Sequence, residues 1–130
     1  MLVPPPPNHR PPGGSLNPDV TQKTIKQTIC IPGWTAKIRP PTSFTNKLKL
    51  QQIKERGLPG QPHEYEEDHF IPLSLGGHPT DSANLWPQGI DRARMKDVLE
   101  SFLHKAVCAG YLRLAEAQAA IRNPLNWGPK

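Results

Sequence analysis

The chemically most useful side chains of this chain stand close together between residues 66 and 88. Asp68 and His69 close one short predicted strand, the pair Gly76-Gly77 follows, and Asn84 opens a second short strand. This order supplies a general base, a metal-binding carboxylate and a structural amide. Hydrolysis of a phosphodiester needs such a set, because water must be activated and the charge that builds on phosphate must be offset.

These residues also carry a resemblance to a known family. The run E-D-H-F-I-P-L-S-L-G-G at 67–77, followed by N-L-W-P at 84–87, resembles the core of the HNH endonucleases, the ββα-metal or His-Me finger nucleases. It matches the small branch of that family without zinc. The resemblance implies an α+β fold with a ββα-metal hairpin-helix core and flanking helices.

The same resemblance implies an activity. We expect a divalent-metal-dependent endonuclease that hydrolyses phosphodiester bonds of DNA with low sequence specificity. The expected cofactor is Mg²⁺, with Mn²⁺ as the alternative. The rival expectation is an HNH-like nucleic-acid-binding module with weak or no catalysis.

Two residues are expected to form the catalytic pair. His69 is the expected general base, because imidazole titrates near neutral pH and accepts a proton from water. Asn84 corresponds to the middle residue of the motif, and its amide is expected to hold the hairpin loop. The simpler interpretations are a packed histidine and an ordinary turn asparagine.

Asp68 is the first expected metal ligand, since Mg²⁺ prefers carboxylate oxygens. The family pattern requires a further ligand in the helix after the second strand, and no histidine stands early in that helix. Asp97 is the expected second ligand. An Asp97, Glu100 and His104 face exposed to solvent is the alternative.

Three cations crowd the start of the same helix. Arg92, Arg94 and Lys96 gain nothing from the helix dipole there, so contacts to nucleic-acid phosphates are a plausible use. Exposure to solvent is the alternative interpretation. The formal charge of +5 and sequence pI of about 9.5 favour a polyanionic partner in the same direction.

Composition limits the remaining choices. A chain of 130 residues with 35% hydrophobic residues builds one domain with a modest core. No apolar run reaches transmembrane length, so no membrane partner is expected. The N-terminus does not read as a signal peptide, which leaves a cytoplasmic location or export by another route; oligomeric state is not predicted.

The two cysteines, Cys30 and Cys108, exclude the paired Cys-x-x-Cys zinc site found in many HNH domains. A disulfide and two buried thiols remain open, but in both cases we expect the two residues to lie close together.

The flanking elements follow from local patterns. Residues 1–18, rich in Pro and Gly, are predicted as a disordered tail that contributes little to stability up to residue 16, and residues 19–130 as the nuclease-like domain. Helices are predicted at 42–56, 91–108 and 114–122, and strands at 65–73 and 84–87. Residues 20–29 read as a helix or a strand, and 34–38 as extended. The expected apolar stripe of the 91–108 helix consists of Met95, Val98, Leu99, Phe102 and Ala106.

Overall fold

The computed structural model describes residues 9–128. Helices combine with one small antiparallel sheet, so the general α+β class is confirmed. The helices and strands, in chain order, are α1 (Trp34–Ile38), α2 (Thr42–Arg56), β1 (Tyr65–His69), β2 (Leu85–Gly89), α3 (Ile90–Cys108) and α4 (Leu114–Arg122). Short 3₁₀ turns lie between several of them.

The sheet is a two-stranded hairpin. β1 pairs antiparallel with β2, and the register sets Glu67 opposite Pro87 and His69 opposite Leu85. Proline has no amide hydrogen to donate, but this sheet has two open edges and tolerates it. A bare two-stranded hairpin is only marginally stable in water. Both α2 and α3 pack on it, which explains why it persists here.

Local signals predict the helix ends well. α2 spans the residues predicted for it and ends at Gly57, whose φ of 61° is the left-handed conformation that glycine adopts readily. α4 likewise occupies its predicted range. α3 follows β2 without a loop, so the end of the hairpin and the start of this helix are held in one fixed relation.

The core forms where α3, α4 and the 70–75 segment meet the residues that precede α1. Aromatic contacts help to fill it: Phe70 meets Trp86 and Trp127 edge-on, each at a ring separation of 6.0 Å. The buried apolar cluster comprises Val20, Ile25, Ile29, Phe70, Ile71, Leu75, Trp86, Leu103, Val107, Leu114, Ala117, Ile121 and Trp127.

The N-terminal segment behaves differently from the prediction. Residues 1–8 of the predicted tail lie outside the described residues, but the chain packs on the domain from His9 onward. His9 is buried, stacks on Trp86 at 4.8 Å and bonds the Pro87 carbonyl through Nε2. Gly14 donates its amide to the Ala83 carbonyl at 2.8 Å. Residues 9–16 therefore pack in an ordered form where the sequence predicted a disordered tail, and deletion of the segment tests the small contribution to stability that was expected from it.

Two other local predictions were also wrong. Residues 34–38, predicted as extended, form the short helix α1, and residues 20–29 form turns with one 3₁₀ segment at Ile25–Gln27. Burial of Ile25 and Ile29 explains the second case, because both side chains reach the core without a continuous helix. Tertiary packing outweighs weak local preference in both segments.

α3 is rotated relative to the predicted stripe. Val98 and Phe102 are 74% and 65% exposed, although both were expected in the core. The buried positions are instead Ala93, Lys96, Leu103 and Val107. A charged residue therefore occupies the inner face of the helix, a position that apolar periodicity by itself does not predict.

A disulfide joins the residues before α1 to the end of α3. Cys30 and Cys108 are bonded, with their Cα atoms 5.6 Å apart, so the predicted proximity is confirmed. The two residues are separated by 78 positions along the chain. Among the described residues, no helix has the length and apolar character needed to cross a membrane.

Candidate active site

Three of the predicted site residues lie on the hairpin. Asp68 and His69 end β1, and Asn84 precedes β2 directly. The 70–83 segment connects them as a compact loop. Of the residues predicted on α3, Lys96 reaches this group, whereas Asp97 and Arg94 are exposed.

A single hydrogen bond determines the orientation of the His69 ring. Nε2 lies 2.8 Å from the carbonyl oxygen of Pro79 in the hairpin loop. A carbonyl only accepts, so Nε2 carries the hydrogen and the neutral ring has its lone pair on Nδ1. Nδ1 makes no hydrogen bond to the described part of the chain. The ring is therefore held in the form that accepts a proton at Nδ1.

The surroundings of His69 favour this neutral form. Burial of the ring lowers the pKa of His69 below its usual value; the hydrogen bond to Pro79 and the nearby carboxylate partly oppose that effect. The positive charges of Arg39 and Lys96 lower the pKa further. The residue is 7% exposed, so the imidazole is sequestered but still reachable. A base of this kind stays unprotonated at neutral pH.

Asn84 fastens the loop that orients His69. It is fully buried, accepts a hydrogen bond from the Ile71 amide at 2.8 Å and donates to the Ile71 carbonyl at 3.0 Å. Its amide also donates to the carbonyl of His78 at 2.9 Å. Gly77 lies so close that a Cβ there would overlap the Ile71 carbonyl and the Asn84 amide. The arrangement is the structural amide that the sequence suggested.

Asp68 forms an ion pair with Lys96, a residue that was predicted to contact nucleic-acid phosphates. The Lys96 ammonium lies 2.6 Å from Asp68 Oδ2 and donates a second hydrogen bond, 2.7 Å long, to the His69 carbonyl. Its side chain is completely buried, whereas that of Asp68 is 15% exposed. Lys96 therefore does not reach nucleic acid, and its predicted role as a phosphate-binding residue was wrong.

Two carboxyls beside this pair are held protonated at neutral pH. Burial raises the pKa of Glu67 to about 8, and both of its oxygens are buried without a hydrogen-bond partner among the described residues. Burial likewise raises the pKa of Glu100 to about 9. The region around Asp68 therefore carries less negative charge at neutral pH than its number of acidic residues suggests.

The side chains present do not fit the Mg²⁺ expected at Asp68 and Asp97. Asp68 already holds an ammonium on Oδ2, and Asp97 is exposed. Within the described residues, no group of three or more His, Cys, Asp or Glu side chains is arranged to hold a metal ion. The chemistry below is therefore derived from the residues of the chain alone.

The other predicted nucleic-acid contacts divide into two cases. Arg92 is half-buried, donates to the Pro124 carbonyl at 3.3 Å and lies over the Trp127 ring at 5.6 Å. Its guanidinium is therefore partly committed to the protein itself. Arg94 is exposed and retains its charge for a partner.

Sequence reasoning missed one cation near the expected base. Arg39 follows α1, is exposed, and its charge lowers the pKa of both His69 and Glu66. Nothing in its neighbourhood, an isoleucine before it and two prolines after it, indicates proximity to a site 30 residues later. Only the tertiary fold brings it near His69. Lys96 shares helical spacing with Ala93, Leu103 and Val107, but this face is recognisable only once the buried side of α3 is known.

Comparison of the chain with protein-family models, with curated proteins and with solved structures finds no match.

Proposed function

We propose that this protein is an endonuclease that hydrolyses phosphodiester bonds of DNA with low sequence specificity. The observation that carries the proposal is the His69 ring at the end of β1, beside the Asp68–Lys96 ion pair: its Nε2 bonds the Pro79 carbonyl and its Nδ1 is left as the basic atom. A neutral imidazole in this orientation at the end of a hairpin strand suits the activation of water.

The proposed step uses His69 as general base. The oxygen of a water molecule attacks phosphorus while one of its protons passes to Nδ1. The bond between phosphorus and the leaving oxygen breaks, and that oxygen takes a proton from solvent. The products are a phosphate monoester end and a hydroxyl end, and the imidazolium then returns its proton to water.

The fold proposal concerns the elements around His69. β1, β2 and α3 follow one another in the order of a hairpin and helix, with α3 lying against the hairpin. We assign these three elements to a ββα core of the HNH type. Asn84 acts in it as a positioning residue, since it holds the loop whose Pro79 orients the base.

DNA binding is proposed to rest on charge. The chain carries a net charge of +5, and both Arg39, which follows α1, and Arg94 of α3 are exposed. Arginine contacts to phosphate oxygens position a duplex without reading its sequence, which accounts for the low specificity proposed. Salt should weaken such binding strongly.

The test is a cleavage assay on supercoiled plasmid DNA with the wild-type protein, His69→Ala and the matched control His104→Ala. We expect His69→Ala to lower the rate by roughly 10²–10⁴-fold, the usual contribution of general-base catalysis. His104→Ala should retain the wild-type rate. DNA affinity, measured by fluorescence anisotropy, should be similar in all three proteins, because a neutral imidazole contributes little to phosphate binding.

The alternative is a nucleic-acid-binding module with the same fold but weak or no catalysis. The ion pair at Asp68 favours it, because a carboxylate that would hold a metal ion in an active enzyme is already occupied. DNA binding without cleavage by the wild-type protein would select this alternative. Full cleavage by His69→Ala would contradict the base proposed here.

A further inference from the structure

The Lys96 ammonium is held inside the protein by hydrogen bonds and by two aromatic rings. Its ammonium bonds Asp68 Oδ2 at 2.6 Å and the carbonyl of His69 at 2.7 Å, so it holds the two adjacent residues that end β1. The rings of Phe70 and Trp127 lie 5.9 Å and 5.3 Å from its nitrogen. Positive charge over aromatic faces is attracted by their quadrupoles.

Complete burial makes this arrangement costly to undo. A lysine is found fully buried only when it is paired, because desolvation of an ammonium without partners is strongly unfavourable. Lys96 satisfies that condition through Asp68. Removing either partner leaves an uncompensated charge inside the protein.

Binding of a divalent ion at Asp68 would also leave the buried Lys96 ammonium without its partner. To bind Oδ2 it must displace the ammonium, which then remains in an apolar pocket between two aromatic rings. The Lys96 ammonium also offsets the negative charge of Asp68, so the carboxylate attracts a second cation less strongly. The position that the family pattern gives to a metal ion is therefore occupied by a side chain of the protein.

We propose that Lys96 is the resident cation of this site in place of a divalent ion, and that it positions Asp68 and the His69 backbone. This inference rests on the function proposed above: if the protein cleaves DNA, cleavage needs no divalent cation. Lys96 is a positioning residue, since it is buried and does not touch substrate.

Two measurements on the wild-type protein test this directly. Plasmid cleavage in excess EDTA should proceed at about the rate seen with Mg²⁺ or Mn²⁺, within roughly twofold, as expected if no ion contributes to the barrier. Titration with Mn²⁺, followed by electron paramagnetic resonance of the free ion, should show no saturable site. The second measurement does not depend on activity.

A variant pair separates the role of Lys96 in positioning from a general loss of packing. Lys96→Met keeps length and removes the charge, and Lys105→Met makes the same change at an exposed position of α3. Lys96→Met, checked for folding by circular dichroism, should gain a saturable Mn²⁺ site that the wild type lacks, because Asp68 is released. Lys105→Met should bind like the wild type.

The outcomes are distinguishable. Cleavage that EDTA abolishes, together with a Mn²⁺ site in the wild type that Asp68→Asn removes, would overturn the inference while leaving the nuclease proposal intact. No cleavage under any condition would contradict the nuclease proposal, and the Mn²⁺ titration would still decide the inference. If Lys96→Met does not fold, the two wild-type measurements decide alone.

Discussion

Two histidines of this protein make the same hydrogen bond in different surroundings. His69 Nε2 bonds the Pro79 carbonyl, and His104 Nε2 bonds the Ile29 carbonyl, each at 2.8 Å. His69 stands at a strand end beside a buried ion pair, whereas His104 lies next to the disulfide, 3.6 Å from Cys108 Sγ. The prediction that His104 belongs to an exposed face was therefore wrong.

The comparison shows that an oriented imidazole by itself does not identify a base. The backbone acceptor fixes the tautomer in both residues, so both present Nδ1 as the free nitrogen. What differs is the setting of the ring: His69 is buried at a strand end beside the Asp68–Lys96 ion pair, whereas His104 is half-buried beside the disulfide. We therefore assign the chemistry to the hairpin and a structural role to the region around His104.

Removing the disulfide should weaken the His104 region most. Cys30→Ser combined with Cys108→Ser opens a link between residues 78 positions apart, and chain-entropy arguments give a loss of about 4 kcal/mol for such a loop. The free energy of unfolding from urea titration measures it. At low temperature, where the variant stays folded, the cleavage rate should not change; a large loss would tie His69 to the disulfide.

Asn84→Ala tests the His69 region in the same way. It removes three buried hydrogen bonds, which at about 1 kcal/mol each predicts a loss of about 3 kcal/mol. The loop that carries Pro79 loosens as well, so the cleavage rate of the folded variant should fall. An unchanged rate would show that the loop does not orient His69.

Deleting residues 9–16 should lower stability by removing contacts to the hairpin and its loop. It removes the hydrogen bond from His78 to the Ser15 carbonyl, that from Gly14 to the Ala83 carbonyl and that between His9 and the Pro87 carbonyl, which at about 1 kcal/mol each predicts a loss of about 3 kcal/mol. Thermal unfolding of proteins that begin at residue 9 and at residue 17 measures the difference. Equal midpoints would mean that these contacts contribute nothing to stability.

The stability of the region around His69 should depend on pH. Burial lowers the pKa of His69, so the unfolded chain binds a proton more readily than the folded one. The contribution of His69 to stability is therefore complete above its unfolded pKa of 6.5 and is lost as pH falls through the lowered value. Subtracting the stability curve of His69→Gln from that of the wild type isolates it. A difference that shrinks with rising pH would contradict this sign.

His104→Ala should have the smallest effect. It removes one hydrogen bond to the Ile29 carbonyl, a loss of about 1 kcal/mol in the free energy of unfolding. Urea titration is sensitive enough to detect a change of that size. A larger loss that disappears in the cysteine double variant would show that His104 acts through the disulfide.

Much of the fold around the site could be read locally. Gly57 marks the end of α2, and the change from short apolar strands to a helical period marks the passage from β2 into α3. Asp68, His69 and Asn84 were placed on the hairpin for the same reason. α1 was missed because five residues between prolines carry too little pattern to distinguish a helical turn from an extended segment.

The sequence by itself determined the order of the hairpin and helix, because turn glycines and helical periodicity act over a few residues. It did not determine where the first strand ends, since the strand predicted at 65–73 stops at His69 in the structure. Tertiary structure decided which way α3 faces, that Lys96 pairs with Asp68, and that Arg39 lies near His69. These contacts join residues 28 or more positions apart. Burial and charge pairing select them, and neither is visible to a pattern that repeats every few residues.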